Sequence, residues 1–192
     1  MSVTKPDGRL QRSERSRQQI VDAMIKLMHR GVYIPTAQQV ADQADISIRT
    51  VFRHFSEMDQ LYLEIDEVLK PLYLQFFEQQ SFAGSLEERI NKAVDARLKT
   101  YIETYHLEKA THALLWRSEK ISTRYQQNQL LLRKNLMKML PELKTAKPET
   151  RETVDAVTSF EFFERLQMHQ GLSEKTCRQL IYNLVLDLIT RK

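Results

Sequence analysis

Apolar residues recur three and four positions apart along most of the chain, the spacing that turns one face of a helix inward. Ile20, Ala23, Met24, Leu27 and Met28 make such a stripe, predicting a helix over 13–30 that stops at Gly31. Tyr33 and Ile34 are expected to pack under the following junction, and Pro35 sets the chain direction. Thr36 then stands three residues before Gln39, the capping-box spacing, and Val40, Ala41 and Ala44 give the next helix a short apolar edge. Asp45 falls where that helix must stop, and Asp tolerates the left-handed backbone of a sharp turn. Ile46 plugs the turn from behind and Ser47 caps a further helix. In that helix Val51 and Phe55 turn inward while Arg49 and Arg53 share the opposite face; periodicity alone puts Ile48 near Val51. A helix held by its back and basic on its front is built to enter a groove.

The remaining pattern is helical too. Ser56 and Asp59 open a helix through Leu61, Leu63, Ile65, Val68 and Leu69 to about residue 79, with a kink or break expected over 69–72 because Pro71 removes a hydrogen bond. Phe76, Phe77 and Phe82 close this region before Gly84. Ser85 and Glu88 form a second capping box, leading a helix to about residue 105 along Ile90, Ala93, Val94, Leu98 and Tyr101. Helices over 110–116 and 123–140 follow, the second stopped by Pro141. After a basic loop, one long helix is expected over 148–170, ended by Gly171, and Ser173 opens the last, striped by Cys177, Leu180, Ile181, Leu184, Val185, Leu188 and Ile189. The expectation is an all-α chain of about nine helices: a basic arm over 1–12, a three-helix unit with a helix-turn-helix over 13–55, and a larger helical body over 56–192.

Composition agrees. Only 4 Gly and 5 Pro interrupt a chain rich in helix formers, and 42% hydrophobic residues with a mean hydropathy of -0.48 suit a globular protein with a real core. Residues 1–8 lack an apolar segment and no run approaches the roughly 18 apolar residues of a membrane span, so no membrane association is expected and the cytoplasm is the expected location. The single Cys177 can form no intrachain disulfide; its neighbours make it a small core residue, with a redox-sensing thiol as the other reading.

Charge adds more. Residues 1–55 carry nine Lys or Arg against five Asp or Glu, a surplus that equals the whole net charge of +4, and the remainder holds twenty of each sign. The surplus positive charge is thus confined to the segment that would face phosphate, as counterion-release binding requires, although a solvated basic surface is also compatible. Arg9 and Arg12 of the arm can reach a phosphate backbone or a minor groove, or simply solubilise.

Chemistry assigns the roles. Arg49 can make the bidentate contact to guanine and Phe52 can meet a thymine methyl. Thr50, Arg53 and His54 suit phosphate oxygens, and Thr36 and Ser47, at two helix starts, complete the expected DNA contacts. The alternative makes Phe52 a core aromatic and His54 a packing residue. Catalysis is not expected: His29, His54, His106, His112 and His169 show no metal-ligand spacing, no phosphate loop or nucleophile elbow is present, and Glu87 and Glu88 fit a helix start. No cofactor and no metal are expected.

The string ADQADISIRTVFRHF, preceded by an apolar helix and followed by SEMDQL, resembles the DNA-binding domain of the TetR family of bacterial transcriptional regulators over about 13–69. The order of small residues, turn, Ser, Thr, aromatic, His and Phe carries the likeness. Asp45 stands where the turn glycine is usual, and Met58 where many members carry a lysine near the phosphate backbone. The resemblance implies a sequence-specific DNA-binding regulator, a repressor released from its double-stranded operator by a small-molecule effector. It implies that the helix after Ser56 joins the reading unit to the body, its tilt setting the distance between two reading heads, and that Ile48 faces solvent. It also implies a homodimer through the last two helices, with Phe160, Phe163, Leu180, Leu184 and Leu188 at the interface; internal core is the competing explanation of those residues. A dyad would then read half-sites about 34–36 Å apart. Finally, it implies a pocket in the body, for which Tyr101, Tyr105, His112, Trp116 and Tyr125 are candidates. The alternative function is a DNA-binding protein whose body engages a protein partner.

Overall fold

The computed structural model describes residues 8–78 and 83–191. Among them are ten α-helices and no strand: α1 Gly8–His29, α2 Ala37–Ala44, α3 Ile48–His54, α4 Met58–Glu78, α5 Leu86–Glu103, α6 Tyr105–Leu114, α7 Glu119–Met139, α8 Pro148–Val157, α9 Phe160–Glu164 and α10 Glu174–Thr190. The all-α expectation holds. The chain divides into two compact units, one of the described residues through Leu69 with His106–Arg124, the other of the described residues of Lys70–Tyr105 and Tyr125–Lys192.

In the first unit α1 begins at Gly8, so residues 8–12 of the expected arm are helical; residues 1–7 lie outside the described chain. Arg12 Nε donates to the Gly8 carbonyl at 3.0 Å and Ser16 Oγ to the Arg12 carbonyl at 3.1 Å, a local side-chain reinforcement that periodicity does not reveal. Ile20, Val21, Ala23, Met24, Leu27 and Met28 are buried, and the helix ends at Gly31, whose φ of 83° lets Val32 N turn back to the Leu27 carbonyl at 3.0 Å. Pro35 is buried beneath the turn, but Ile34 is 40% exposed and does not pack there as expected. Tyr33 contributes its carbonyl, which accepts from Tyr62 Oη on α4. Val40, Ala41, Val51, Phe55, Leu61 and Ile65 join the α1 stripe in one core, closed by Leu107, Ala110 and Leu114 of α6 and by Ile121.

The start of α4 corrects one expectation. Gln60, and not Asp59, serves Ser56: Gln60 Oε1 accepts from Ser56 N at 3.1 Å and from Ser56 Oγ at 3.2 Å. Asp59 instead accepts from Ser118 Oγ at 2.5 Å, a long-range partner no spacing rule can find. Further on, α4 runs through Pro71 as one helix, so of the kink or break expected over 69–72 the break does not occur. The expected contributions of Phe77 and Phe82 lie outside the described side chains.

In the second unit α5, α7, α8, α9 and α10 share a core of Ile90, Val94, Tyr101, Leu136, Leu140, Phe160, Phe163, Cys177, Ile181 and Val185. Burial raises the Cys177 thiol pKa, which fits the core reading. The single helix expected over 148–170 is broken. Thr158 Oγ1 donates back to the Val154 carbonyl at 2.8 Å, Ser159 caps α9 by accepting from Phe162 N at 3.3 Å, and α9 continues as a π-helical turn, Arg165–His169. Arg97, 1% exposed, lies inside this core, donating to Tyr101 Oη at 3.0 Å and to Asp155 Oδ1 at 3.2 Å. A buried guanidinium needs such partners, because several kcal/mol of hydration are lost on burial. Arg178 ties α10 to α5 through Asp95 Oδ1 at 2.5 Å and Asn91 Oδ1 at 2.9 Å.

Candidate nucleic-acid interface

Local chemistry sets the turn before α3. Thr36 Oγ1 accepts from Gln39 N at 3.2 Å and Gln39 Oε1 accepts from Thr36 N at 2.8 Å, the reciprocal box expected. Asp45 holds the left-handed conformation at φ 55°, and Ile46 N returns to the Ala41 carbonyl at 3.1 Å, closing α2. Ser47 caps α3, accepting from Thr50 N at 3.3 Å, with its hydroxyl 3.0 Å from Thr50 Oγ1.

The seat of α3 is firm. Val51 and Phe55 are 0% and 2% exposed, and the Arg17 guanidinium lies 4.7 Å over the Phe55 ring while pairing with Glu64 at 2.7 Å. This clamp joins α1, the end of α3 and α4. Arg17's part leaves no local signature, since its partners lie far along the chain. Arg30 Nη1 donates to Gln43 Oε1 at 2.8 Å, bracing α1 on α2.

The opposite face of α3 is open. Arg49, Phe52 and Arg53 are exposed, as are Ser47 and Thr36, and neither Arg49 nor Arg53 makes a hydrogen bond or ion pair among the described residues. Phe52 at 48% exposure is not the core aromatic that the alternative required, and Ile48 at 37% faces outward too. Periodicity misjudged Ile48 because a seven-residue helix packs through only one turn of its face. Thr50 is half-buried and shares its hydroxyl with Ser47. Its capacity toward phosphate is what remains of that hydroxyl.

His54 differs from the other members of the set. It is half-buried, and its Nε2 is enclosed without a hydrogen-bond partner. Burial holds its pKa below 6.5, the cations of Arg53 and Arg17 add to the shift, and Glu14 opposes it. A neutral ring at neutral pH offers no charge to a phosphate. It borders an open cleft of about 340 Å³ lined by Arg17, Phe55, Gln60, Leu63, Glu64, Glu67 and Arg124.

The other candidates fall as follows. Tyr101 is 1% exposed, with Oη donating to the Thr158 carbonyl at 2.9 Å and accepting from Arg97; its polar group is engaged in the core and not offered to a ligand. Tyr105 and Tyr125 are half-buried in the same unit, Tyr105 packing on Phe160 at 5.8 Å between centroids and Tyr125 Oη donating to Glu161. His112 and Trp116 belong to the first unit, and Trp116 is 82% exposed, so it walls no enclosed cavity. Phe160 and Phe163 are each 1% exposed within the single chain, which removes them from the expected dimer surface: the break at Thr158 rotates them into the core. Leu180, Leu184 and Leu188 stay half-buried at four-residue spacing on α10. Among the described residues no helix is long and apolar enough to cross a membrane, and no cluster of three or more His, Cys, Asp or Glu could hold a metal ion.

No protein family's sequence profile matches the chain, and no curated protein matches it by sequence. Solved structures do match. A transcriptional regulator from Rhodococcus sp. Rha1 is similar with a TM-score of 0.73 at 14% identity, over 90% of this chain and 95% of that one. A TetR transcription regulator from Haloarcula marismortui is similar with a TM-score of 0.68 at 17% identity, over 90% of this chain and 97% of that one. At such identities the likeness is one of backbone: the chain has the fold of the TetR regulators.

Proposed function

We propose that the chain is a sequence-specific DNA-binding transcriptional regulator. The observation that carries this is the outward face of α3, where Arg49 and Arg53 stand exposed and unpaired among the described residues on a helix fixed from behind by Val51 and Phe55. Unpaired guanidinium groups on a rigid mount can meet guanine edges and phosphates without first breaking protein contacts. Thr36, Ser47, Thr50 and Phe52 complete the proposed contact set, with the half-buried His54 at the end of the same helix. In function, residues 13–55 read DNA and 56–192 regulate and dimerise.

A homodimer acting in the cytoplasm on a pseudo-palindromic operator follows from the same proposal, with Leu180, Leu184 and Leu188 of α10 at the contact. The regulator would be a repressor that a small molecule releases; such a ligand must bind the non-operator-bound form more tightly, since equal affinity shifts nothing. Tyr105 and Tyr125 would be among its contacts. The exposed Trp116 favours a second reading, in which a protein partner takes the ligand's place.

The test is selection of binding sites from random duplexes, followed by gel shift. Arg49→Ala should cost roughly 1–3 kcal/mol and relax preference at one position per half-site. Wild-type protein that selects no sequence would overturn the proposal.

A further inference from the structure

Two ridges run along the open face of α3. Arg49 and Arg53 make one, four residues apart; Ile48 and Phe52 make the other, also four apart and adjoining the first. Ile48 is 37% exposed and Phe52 48%, although the apolar core of this unit lies directly behind the same helix. Neither side chain has a partner role in the fold that explains its outward position, and both stand beside cations that draw a polyanion to this face. Apolar groups presented to DNA have one chemically matched target in the major groove, the 5-methyl group of thymine.

We propose that Ile48 is a base-reading residue, and that with Phe52 it forms an apolar ridge selecting thymine methyls at two nearby positions of each half-site. The inference rests on the DNA-binding function proposed above and adds a specificity element to it. Residues four apart on a helix are about 6 Å apart along its axis, on the order of two base-pair steps of 3.4 Å. The two thymines therefore lie within one to three base pairs of one another, next to the guanine assigned to Arg49. Ile48 is the more discriminating of the two, because a branched side chain with one preferred rotamer in a helix cannot swing away from a missing methyl.

A uracil scan tests this. In the operator selected by the wild-type protein, each thymine is replaced singly by deoxyuridine, which keeps base pairing and removes only the methyl. Affinities are measured at fixed salt for wild type, Ile48→Ala and Phe52→Ala. Wild type should lose roughly fourfold at each of two thymines per half-site, the value of burying one methyl-sized group. Ile48→Ala should bind the thymine operator less well and be indifferent to uracil at one of those positions, while keeping the loss at the other; Phe52→Ala should show the converse. Both replacements are at exposed sites and Ala favours helix, so circular dichroism should be unchanged. A selected site without thymines there, a flat scan, or an undiminished uracil penalty in Ile48→Ala each overturns the proposal. If the flat scan occurs while Arg49→Ala still relaxes selection, DNA reading stands and only the methyl ridge falls; if wild type selects nothing, both fall.

Discussion

Asp45 occupies a conformation that costs an ordinary residue about 1–2 kcal/mol, and its short polar side chain is what makes the tight turn before α3 affordable without glycine. Asp45→Ala should lower stability by on the order of 1 kcal/mol in urea denaturation, whereas Asp45→Gly should lie within a few tenths of wild type. Titration marks a second group of residues. Burial lowers the pKa of His106, with the neighbouring His29 ring, 4.6 Å away between centroids, adding to the effect; His54 is lowered by burial and by Arg53 and Arg17. Both are lowered in the folded chain, so the unfolded chain binds more protons below the ordinary value of 6.5. Stability should be full above that pH and decline as the pH falls through the lowered values. Thermal melts between neutral and mildly acidic pH should show the decline, and His106→Gln should flatten it. Residues whose role is local were legible: Thr36, Asp45, Ser47 and Ser85 act on the backbone within three or four positions. Ile34, His54 and Arg17 were not, because what surrounds them comes from distant segments.

Capping decides the boundaries of several helices, and its contribution can be measured. Thr36→Ala removes the α2 box and should cost about 1 kcal/mol, with DNA affinity falling as the turn loosens. The break between α8 and α9 has the larger consequence. Apolar spacing from Val154 to Leu166 resembles one continuous stripe, and a threonine bonded back to its own helix leaves no mark in that pattern. Once Ser159 restarts the helix, Phe160 and Phe163 point inward, so Phe160→Ala should cost about 3–5 kcal/mol through the cavity it leaves. Leu184 is absent from the half-buried residues packed on that core. Leu184→Ala should therefore leave the fold intact by circular dichroism and shift a monomer–dimer equilibrium in sedimentation; an unchanged equilibrium would exclude it from the contact. Pro71 shows the converse for the expected break, since a helix can forgo one hydrogen bond and continue when its remaining turns are held.

For the molecule as a whole, the surplus charge and the fold point the same way. Affinity for duplex should fall steeply with salt, and Arg53→Ala should weaken binding to all sequences and reduce the salt slope by about one. An unaltered slope would remove Arg53 from the phosphate contacts. The fold class, the order of helices and the turn were legible from periodicity and caps, while the division into two units was not, because it depends on α6 and the start of α7 packing with residues much earlier in the chain. Trp116 has a practical corollary. As the sole indole of the chain and 82% exposed when folded, it already emits from a watery surrounding. Its fluorescence should change little when either core melts, yet shift to the blue and resist quenching by iodide whenever another molecule settles over that corner.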